Sequence, residues 1–235
     1  GAKGDVFSFL MNHKGYQFEE AVEFLANKYN IQLDYTNEVY NAEEKDEFKK
    51  GWEFMGKVKR LYHSLLMANA MAKAYMNDRG FSDETLAIWE IGYAPANWRT
   101  VTDMAIKESQ WDLAVKCGIC IEQDEKNRDF FYNRIMIPIH DSKANCISFG
   151  GRIWTEEQAG KNEAKYMNGK ESYLYSKENV LFGMHLANLP MSKSKEAFLV
   201  EGYLDVIKAH QEEINNVVAA CGTSVTASQA KADRK

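Results

Sequence analysis

The 235-residue chain is 45% hydrophobic and 27% charged, with a net charge of −5, which is enough apolar material for one large or two small folded domains. The acidic balance excludes a uniformly basic nucleic-acid binder but does not describe any single face. Between Arg128 and Lys177 eight Lys or Arg stand against six Asp or Glu, a local +2 that leaves −7 elsewhere, so positive charge is concentrated mid-chain.

Asp5 is the expected N-cap of a short first helix with Val6, Phe7 and Leu10 on its apolar side. A second helix is predicted over Phe18–Tyr29, where Phe18, Ala21, Val22, Leu25 and Ala26 fall on one buried stripe. Two short helices make a poor core and imply a partner to pack against. Residues 35–47 are polar and acidic without an apolar period, as a linker or the solvated start of the next helix would be. Phe48, Trp52, Met55, Leu61, Tyr62, Leu65 and Leu66 mark one long amphipathic helix continuing to Met76 and ending at Gly80. Ser82-Asp83-Glu84 supplies a capping hydroxyl and an acidic first turn for the next helix, packed by Leu86, Ile88 and Trp89 and stopped by Gly92 and Pro95. Short helices also fit residues 100–108 and 111–117.

The texture then changes to strand. Residues 119–122 and 130–132 flank a polar turn at 124–127, which predicts a hairpin. Residues 134–141 form a mostly apolar strand in which Pro138 requires an edge or a bulge. In Cys146-Ile147-Ser148-Phe149-Gly150-Gly151-Arg152 the paired glycines allow close backbone approach, and the arginine behind them suits a phosphate. Phe131, Tyr132 and Ile137 read as core. The unbroken apolar run Ala197-Phe198-Leu199-Val200, followed by Glu201-Gly202 and a helical pattern, reads as a buried parallel strand turning into a helix. Glu201 then lies at the strand's carboxyl end, where open α/β sheets bind ligands, with Gly202 permitting a sharp turn. Asp205 follows one helical turn later, so two carboxylates can converge on one oxygen-seeking cation. The same residues fit an ordinary strand-to-helix turn with Asp205 as a helix-start charge. A further strand is predicted over 216–220, and the few residues after it leave the sheet unfinished, as in a fragment.

The four cysteines, Cys117, Cys120, Cys146 and Cys221, lack the spacing of a disulfide framework or a four-ligand zinc site and read as free, largely buried thiols. With no signal peptide and no apolar run of about 18 residues, the sequence is read as soluble, cytoplasmic and without membrane association.

Phe198-Leu199-Val200-Glu201-Gly202-Tyr203-Leu204-Asp205-Val206 resembles the first motif of the Toprim fold, in the form found in bacterial replicative DNA primases of the DnaG type. The runs 133–141, Ile147 to Arg152, Lys165-Tyr166-Met167-Asn168, Leu174 to Lys177 and Leu181-Phe182-Gly183 occur in the primase order, and such a series is far more specific than any one motif. Gly1 to Phe9 resembles the stretch after the last zinc-binding cysteine pair of that family.

The resemblance implies an α+β fold with a helical N-terminal region, a mixed α/β primase core and an incomplete Rossmann-like Toprim sheet. Residues 1–36 would close a zinc-binding domain whose zinc ligands are absent, 37–47 would link, 48–194 would be the N-terminal subdomain of the RNA polymerase domain, and 195–235 would begin the Toprim domain. It implies Glu201 as a catalytic carboxylate that, with Asp205, holds Mg²⁺ or Mn²⁺; Zn²⁺ is expected only in an upstream part. Arg79, Arg152, Lys165, Tyr166, Asn168 and Lys177 would contact single-stranded template and incoming NTP, since phosphates need cations and bases need stacking planes. From its position alone Arg79 equally fits a helix C-terminal charge, and the other cations fit solvated surface charges.

The implied activity is synthesis of short RNA primers from NTPs on single-stranded DNA, by a monomer that meets the replicative helicase in the intact protein. The family's Asp-x-Asp metal motif would lie beyond Lys235, so this chain alone is expected to bind nucleic acid weakly and not to polymerise. Rival readings are another Toprim enzyme, such as a phage primase-helicase or nuclease, and a non-catalytic nucleic-acid-binding module. Phe130, Tyr132 and His140 stand where the family often has arginine, which predicts a less basic groove, and 155–164 is longer than usual.

Overall fold

The computed structural model describes residues 5–14, 16, 18–29, 31, 42–123, 126–161 and 163–222. Helix α1 (Val6–Lys14) starts as its sequence requires, with the Ser8 N–H donating to Asp5 Oδ1 at 2.8 Å. That bond holds the Asp5 carboxyl below its ordinary range. In α2 (Phe18–Tyr29) Ala21 and Ala26 are buried, but Phe18 is 57% exposed and leaves the predicted stripe. Its ring meets Phe7 across the helical hairpin, with centroids 5.5 Å apart. Most of the expected linker lies outside the described residues; residues 42–47 already belong to α3 (Ala42–Ala68).

Helix α3 buries Phe54, Met55, Val58, Tyr62 and Leu66 at three- and four-residue intervals. The single long helix expected to Gly80 is in fact two. Asn69 adopts an extended conformation and its side chain accepts the Ala72 N–H, capping α4 (Ala70–Asp78). Ser82 caps α5 (Asp83–Ile88) as predicted, although Ile88 is 59% exposed and Trp89 carries the packing. The helix ends before Gly92, and Gly92, one of the two residues expected to stop it, opens strand β1 (Gly92–Ala94). Gly92 is there for space: a β-carbon would stand 2.6 Å from Tyr62 Cβ on α3.

Helices α6 (Thr100–Lys107) and α7 (Trp111–Lys116) precede a hairpin of β2 (Cys120–Gln123) and β3 (Lys126–Asp129). The second strand is thus the polar run, not 130–132. Asp129 explains the shift. It is buried and accepts the Val101 N–H at 3.0 Å, the Thr102 N–H at 2.7 Å and the Thr102 hydroxyl at 2.8 Å, capping α6 from a distant strand. Its burial raises the carboxyl pKa in spite of those bonds.

Strands β4 (Arg134–His140), β5 (Cys146–Arg152) and β6 (Tyr166–Asn168) complete an antiparallel sheet in the order β1-β4-β5-β6. Because β1 pairs with residues 134–136, Pro138 has no neighbour strand on that side among the described residues, and a bulge follows at Ile139/His140, satisfying the sequence constraint. The segment 155–164 holds a short helix, α8 (Glu156–Gly160), opened by a Thr155/Gln158 capping box. Arg134 fastens it by donating to Ala164 O and pairing with Glu163 at 3.6 Å.

A second sheet has the order β7-β9-β8, from β7 (Leu181–Phe182), β8 (Phe198–Val200) and β9 (Val217–Ala220). Helix α9 (Met184–Ser194) follows β7, and α10 (Tyr203–Gln211) makes the parallel crossover from β8 to β9. The parallel pairing agrees with the sequence reading, but the predicted burial does not. Among the described residues β8 lies at the sheet's edge, and Phe198 and Leu199 are each 52% exposed. One contiguous core runs from Phe54 and Tyr62 through Ile135 and Ile137 to Val206 and Val217, joining both sheets to α3.

Candidate nucleic-acid and metal-binding site

Side chains two residues apart on a strand share a face, and so do directly paired residues of neighbouring strands. Gly150 pairs with Asn168 and Arg152 with Tyr166, so these four lie on one face of the first sheet. Arg152 is only 6% exposed. Its Nε donates to Tyr75 Oη at 3.0 Å, its Nη1 donates to Tyr166 Oη at 2.5 Å, and its guanidinium lies 5.0 Å from the Tyr166 ring centroid. Burial alone would depress its pKa, but the tyrosine contacts outweigh it and the net shift is upward.

Arg79 caps the end of α4 and is exposed, with its guanidinium 5.8 Å from the Tyr75 ring. The structure therefore brings three of the expected residues into one strip, Arg79–Tyr75–Arg152–Tyr166, while Lys165 is exposed next to Tyr166 in sequence. Tyr75, which the sequence reading did not single out, is the link. Its signal was its position four residues before Arg79, one helical turn away.

Aromatic contacts extend the strip through Trp154, 6.2 Å from Tyr75, to Tyr93, 5.5 Å from Trp154. Beyond lies an open cleft of about 560 Å³ lined by Trp98, Arg99, Lys126, Asn127 and Arg128. Trp98 stacks on Tyr132 at 4.3 Å and Arg128 sits 4.8 Å from the Trp98 ring, a cation-and-plane arrangement suited to nucleobases and phosphates. Sequence reasoning missed this cleft and placed Tyr132 in the core. His140 is buried away from the strip, and the Phe130 ring lies under Lys170 Nζ at 5.4 Å.

Glu201 follows β8 directly and is exposed, as is Asp205 in the first turn of α10. Gly202 is extended, with φ −131°, so the sharp turn expected of it is not its role. It leaves space for Asp205: a β-carbon there would stand 2.9 Å from Asp205 Oδ2. Tyr203 points the opposite way, its ring 2.6 Å from where a Gly150 β-carbon would be. Its hydroxyl donates to Asn168 Oδ1 at 3.0 Å, and Asn168 Nδ2 donates to Cys221 O at 2.7 Å.

Asn168, expected at the nucleic-acid surface, thus has its amide committed to the joint between the two sheets. At the other end of α10, Lys208 and Gln211 both donate to Gly80 O, next to Arg79. The helix bearing Asp205 therefore spans the strip from Gly150 to Gly80. Lys177 is half-buried outside the strip; its N–H donates to Glu171 Oε1, and its charge acts on the Cys221 thiol.

The exposed Glu201 and Asp205 carboxylates fit two ligands of a hard divalent cation. Among the described residues no third acidic, His or Cys side chain completes the set. The four cysteines are all buried and free, and burial raises the Cys117, Cys120 and Cys146 thiols; among the described residues they form no cluster that could hold a metal.

Three family models match the chain: the DNA primase catalytic core N-terminal domain over residues 61–188, the CHC2 zinc finger over 1–41 and the Toprim domain over 195–235. A DNA primase of Clostridium acetobutylicum is 33% identical over 98% of this chain, which spans 38% of that relative's length. The RNA polymerase domain of Mycobacterium tuberculosis primase DnaG superposes with a TM-score of 0.74 at 28% identity, covering 79% of this chain and 60% of that one. A DnaG primase catalytic domain bound to ssDNA gives a TM-score of 0.70 at 29% identity, over 82% of this chain and 59% of that one. The order of motifs, the mixed fold and the match over 61–188 agree, and the chain belongs to the DNA primase family, carrying its catalytic-core N-terminal domain.

Proposed function

We propose that this chain supplies the template-binding surface and the first acidic residues of a primase that copies single-stranded DNA into short RNA primers from NTPs. The observation that carries the reading is the cation–aromatic strip from Arg79 to Tyr166, which shares a sheet face with Tyr203, two residues from Glu201. Its relatives bear the name DNA primase, and one structural neighbour holds ssDNA.

In this reading Arg152, Arg79 and Lys165 hold phosphates, while Tyr166 and the Trp98 cleft present ring faces to bases. Glu201 and Asp205 would hold Mg²⁺ or Mn²⁺, which when bound neutralises triphosphate charge and activates a hydroxyl. Tyr203 and Asn168 keep the carboxylates in register with the strip. The enzyme works as a cytoplasmic monomer.

The test is primer synthesis on single-stranded DNA with NTPs and Mg²⁺ or Mn²⁺, comparing the full-length gene product with this 235-residue chain. The full-length protein should make primers, and this chain should bind the oligonucleotide without extending it. Synthesis by this chain alone would remove the proposed division of labour, and DNA cleavage without NTPs would point to another Toprim enzyme.

A further inference from the structure

Two arginines on neighbouring strands of the first sheet are equally buried, each with 6% exposure, yet they are treated differently. Arg134 on β4 is paired with Glu163 and donates to the carbonyls of Gly151 and Ala164. Arg152 on β5 has no carboxylate within ion-pair distance among the described residues; its partners are two neutral hydroxyls. A buried charge without a counter-ion is costly. Hydroxyl dipoles solvate such a cation without neutralising it, which leaves its field available to an anion. A guanidinium has five N–H donors in one rigid plane. Tyr75 takes the Nε hydrogen and Tyr166 one on Nη1, so both Nη2 hydrogens and the second on Nη1 remain for a ligand.

We propose that Tyr75 is a positioning residue: with Tyr166 it clamps the Arg152 guanidinium in one orientation and reserves its Nη2 edge for a phosphate group. The clamp crosses layers, since Tyr75 belongs to α4 and Arg152 lies 77 residues away on β5. The Tyr75 ring is itself held, edge-on to Trp154 at 6.2 Å and beside Arg79 at 5.8 Å. An unclamped arginine on a strand samples many rotamers and gives up that freedom when it binds; one already held gives up less. This assignment rests on the proposed phosphate-binding use of the strip.

The test uses Tyr75→Phe, which removes one oxygen and keeps the ring. Two readouts on this chain are compared: the Arg152 Nε–H signal in ¹H–¹⁵N spectra, assigned with Arg152→Gln, and affinity for a fluorescein-labelled oligo-dT. The expected result is a shifted, faster-exchanging Nε–H and an affinity loss of about fivefold. The same substitution in an Arg152→Gln background should cost nothing further. Tyr166→Phe, which leaves the Nε bond, should weaken binding while leaving the Nε–H exchange slow.

An unmoved Nε–H signal, or full affinity after Tyr75→Phe, would overturn the proposal. So would an equal loss in the Arg152→Gln background. If the parent binds no oligonucleotide but its Nε–H signal responds to inorganic pyrophosphate, and Tyr75→Phe abolishes that response, the clamp is supported and the template reading fails.

Discussion

The ring of Tyr203 stands over Gly150, 2.6 Å from the point a β-carbon would occupy, and this contact sets the second sheet on the face that carries Arg152. Tyr203 is buried, and that burial pushes its hydroxyl pKa far up, so it stays a neutral donor to Asn168.

Gly150→Ala should therefore lower unfolding free energy by about 1–3 kcal/mol, because neither the ring nor the β5 backbone can retreat from a close-packed interior. Urea denaturation checks this, and adding Tyr203→Leu should recover part of the loss. A midpoint equal to the parent's would mean that the contact is looser than described.

The carboxylate pair should bind Mn²⁺ weakly. Paramagnetic broadening of backbone amides at low Mn²⁺ should centre on residues 200–206 and vanish in Glu201→Gln. Gly202→Ala should also weaken it, by pushing Asp205 Oδ2 off its present position while leaving the fold intact. Broadening that survives Glu201→Gln would place the ion elsewhere.

Three histidines make the stability pH-dependent. His140 and His185 have ring centroids 4.4 Å apart, and Trp89 is edge-on to His185 at 5.7 Å and to His210 at 5.2 Å. Burial, with repulsion from neighbouring histidines and Lys59, lowers His140 to about 2 and His185 to about 4. Burial also lowers His210, against the bond to Val217 O. The groups facing this cluster are Lys59, paired with Glu90, and the buried Cys146, with Asp141 beyond it.

Because the unfolded chain takes up protons that the folded one refuses, stability should fall as pH drops below about 6.5, by about 2 kcal/mol for each of His140 and His185 at about pH 5, with His210 acting in the same direction. His185→Phe should flatten the dependence seen in pH-resolved thermal melts. An equally steep slope in that variant would remove the histidines as its cause.

Trp98 has one ring face on Tyr132 and is 41% exposed. If bases stack there, Trp98→Ala should raise the oligo-dT dissociation constant about tenfold, in line with about 1–3 kcal/mol per stacked base. Tryptophan fluorescence should also be quenched on binding in the parent. Unchanged affinity would restrict the nucleic-acid path to the Arg152 strip.

What the sequence determined by itself was whatever depends on a few consecutive residues. The caps at Asp5 and Ser82, the bounds of α2 and the parallel pairing that leaves Glu201 exposed all follow from local spacing and backbone chemistry. The family motifs marked the right stretches for the same reason.

The tertiary structure decided whatever depends on partners far along the chain. Asp129 draws the hairpin strand inward because α6 needs a cap 27 residues away, and Asn168 leaves the surface because Tyr203, 35 residues on, takes its amide. Arg152 becomes a clamped cation only because a tyrosine 77 residues earlier lies across the sheet. Periodicity reports which face of an element is apolar; it carries no information about which polar group from another element will meet it, and packing alone settles that.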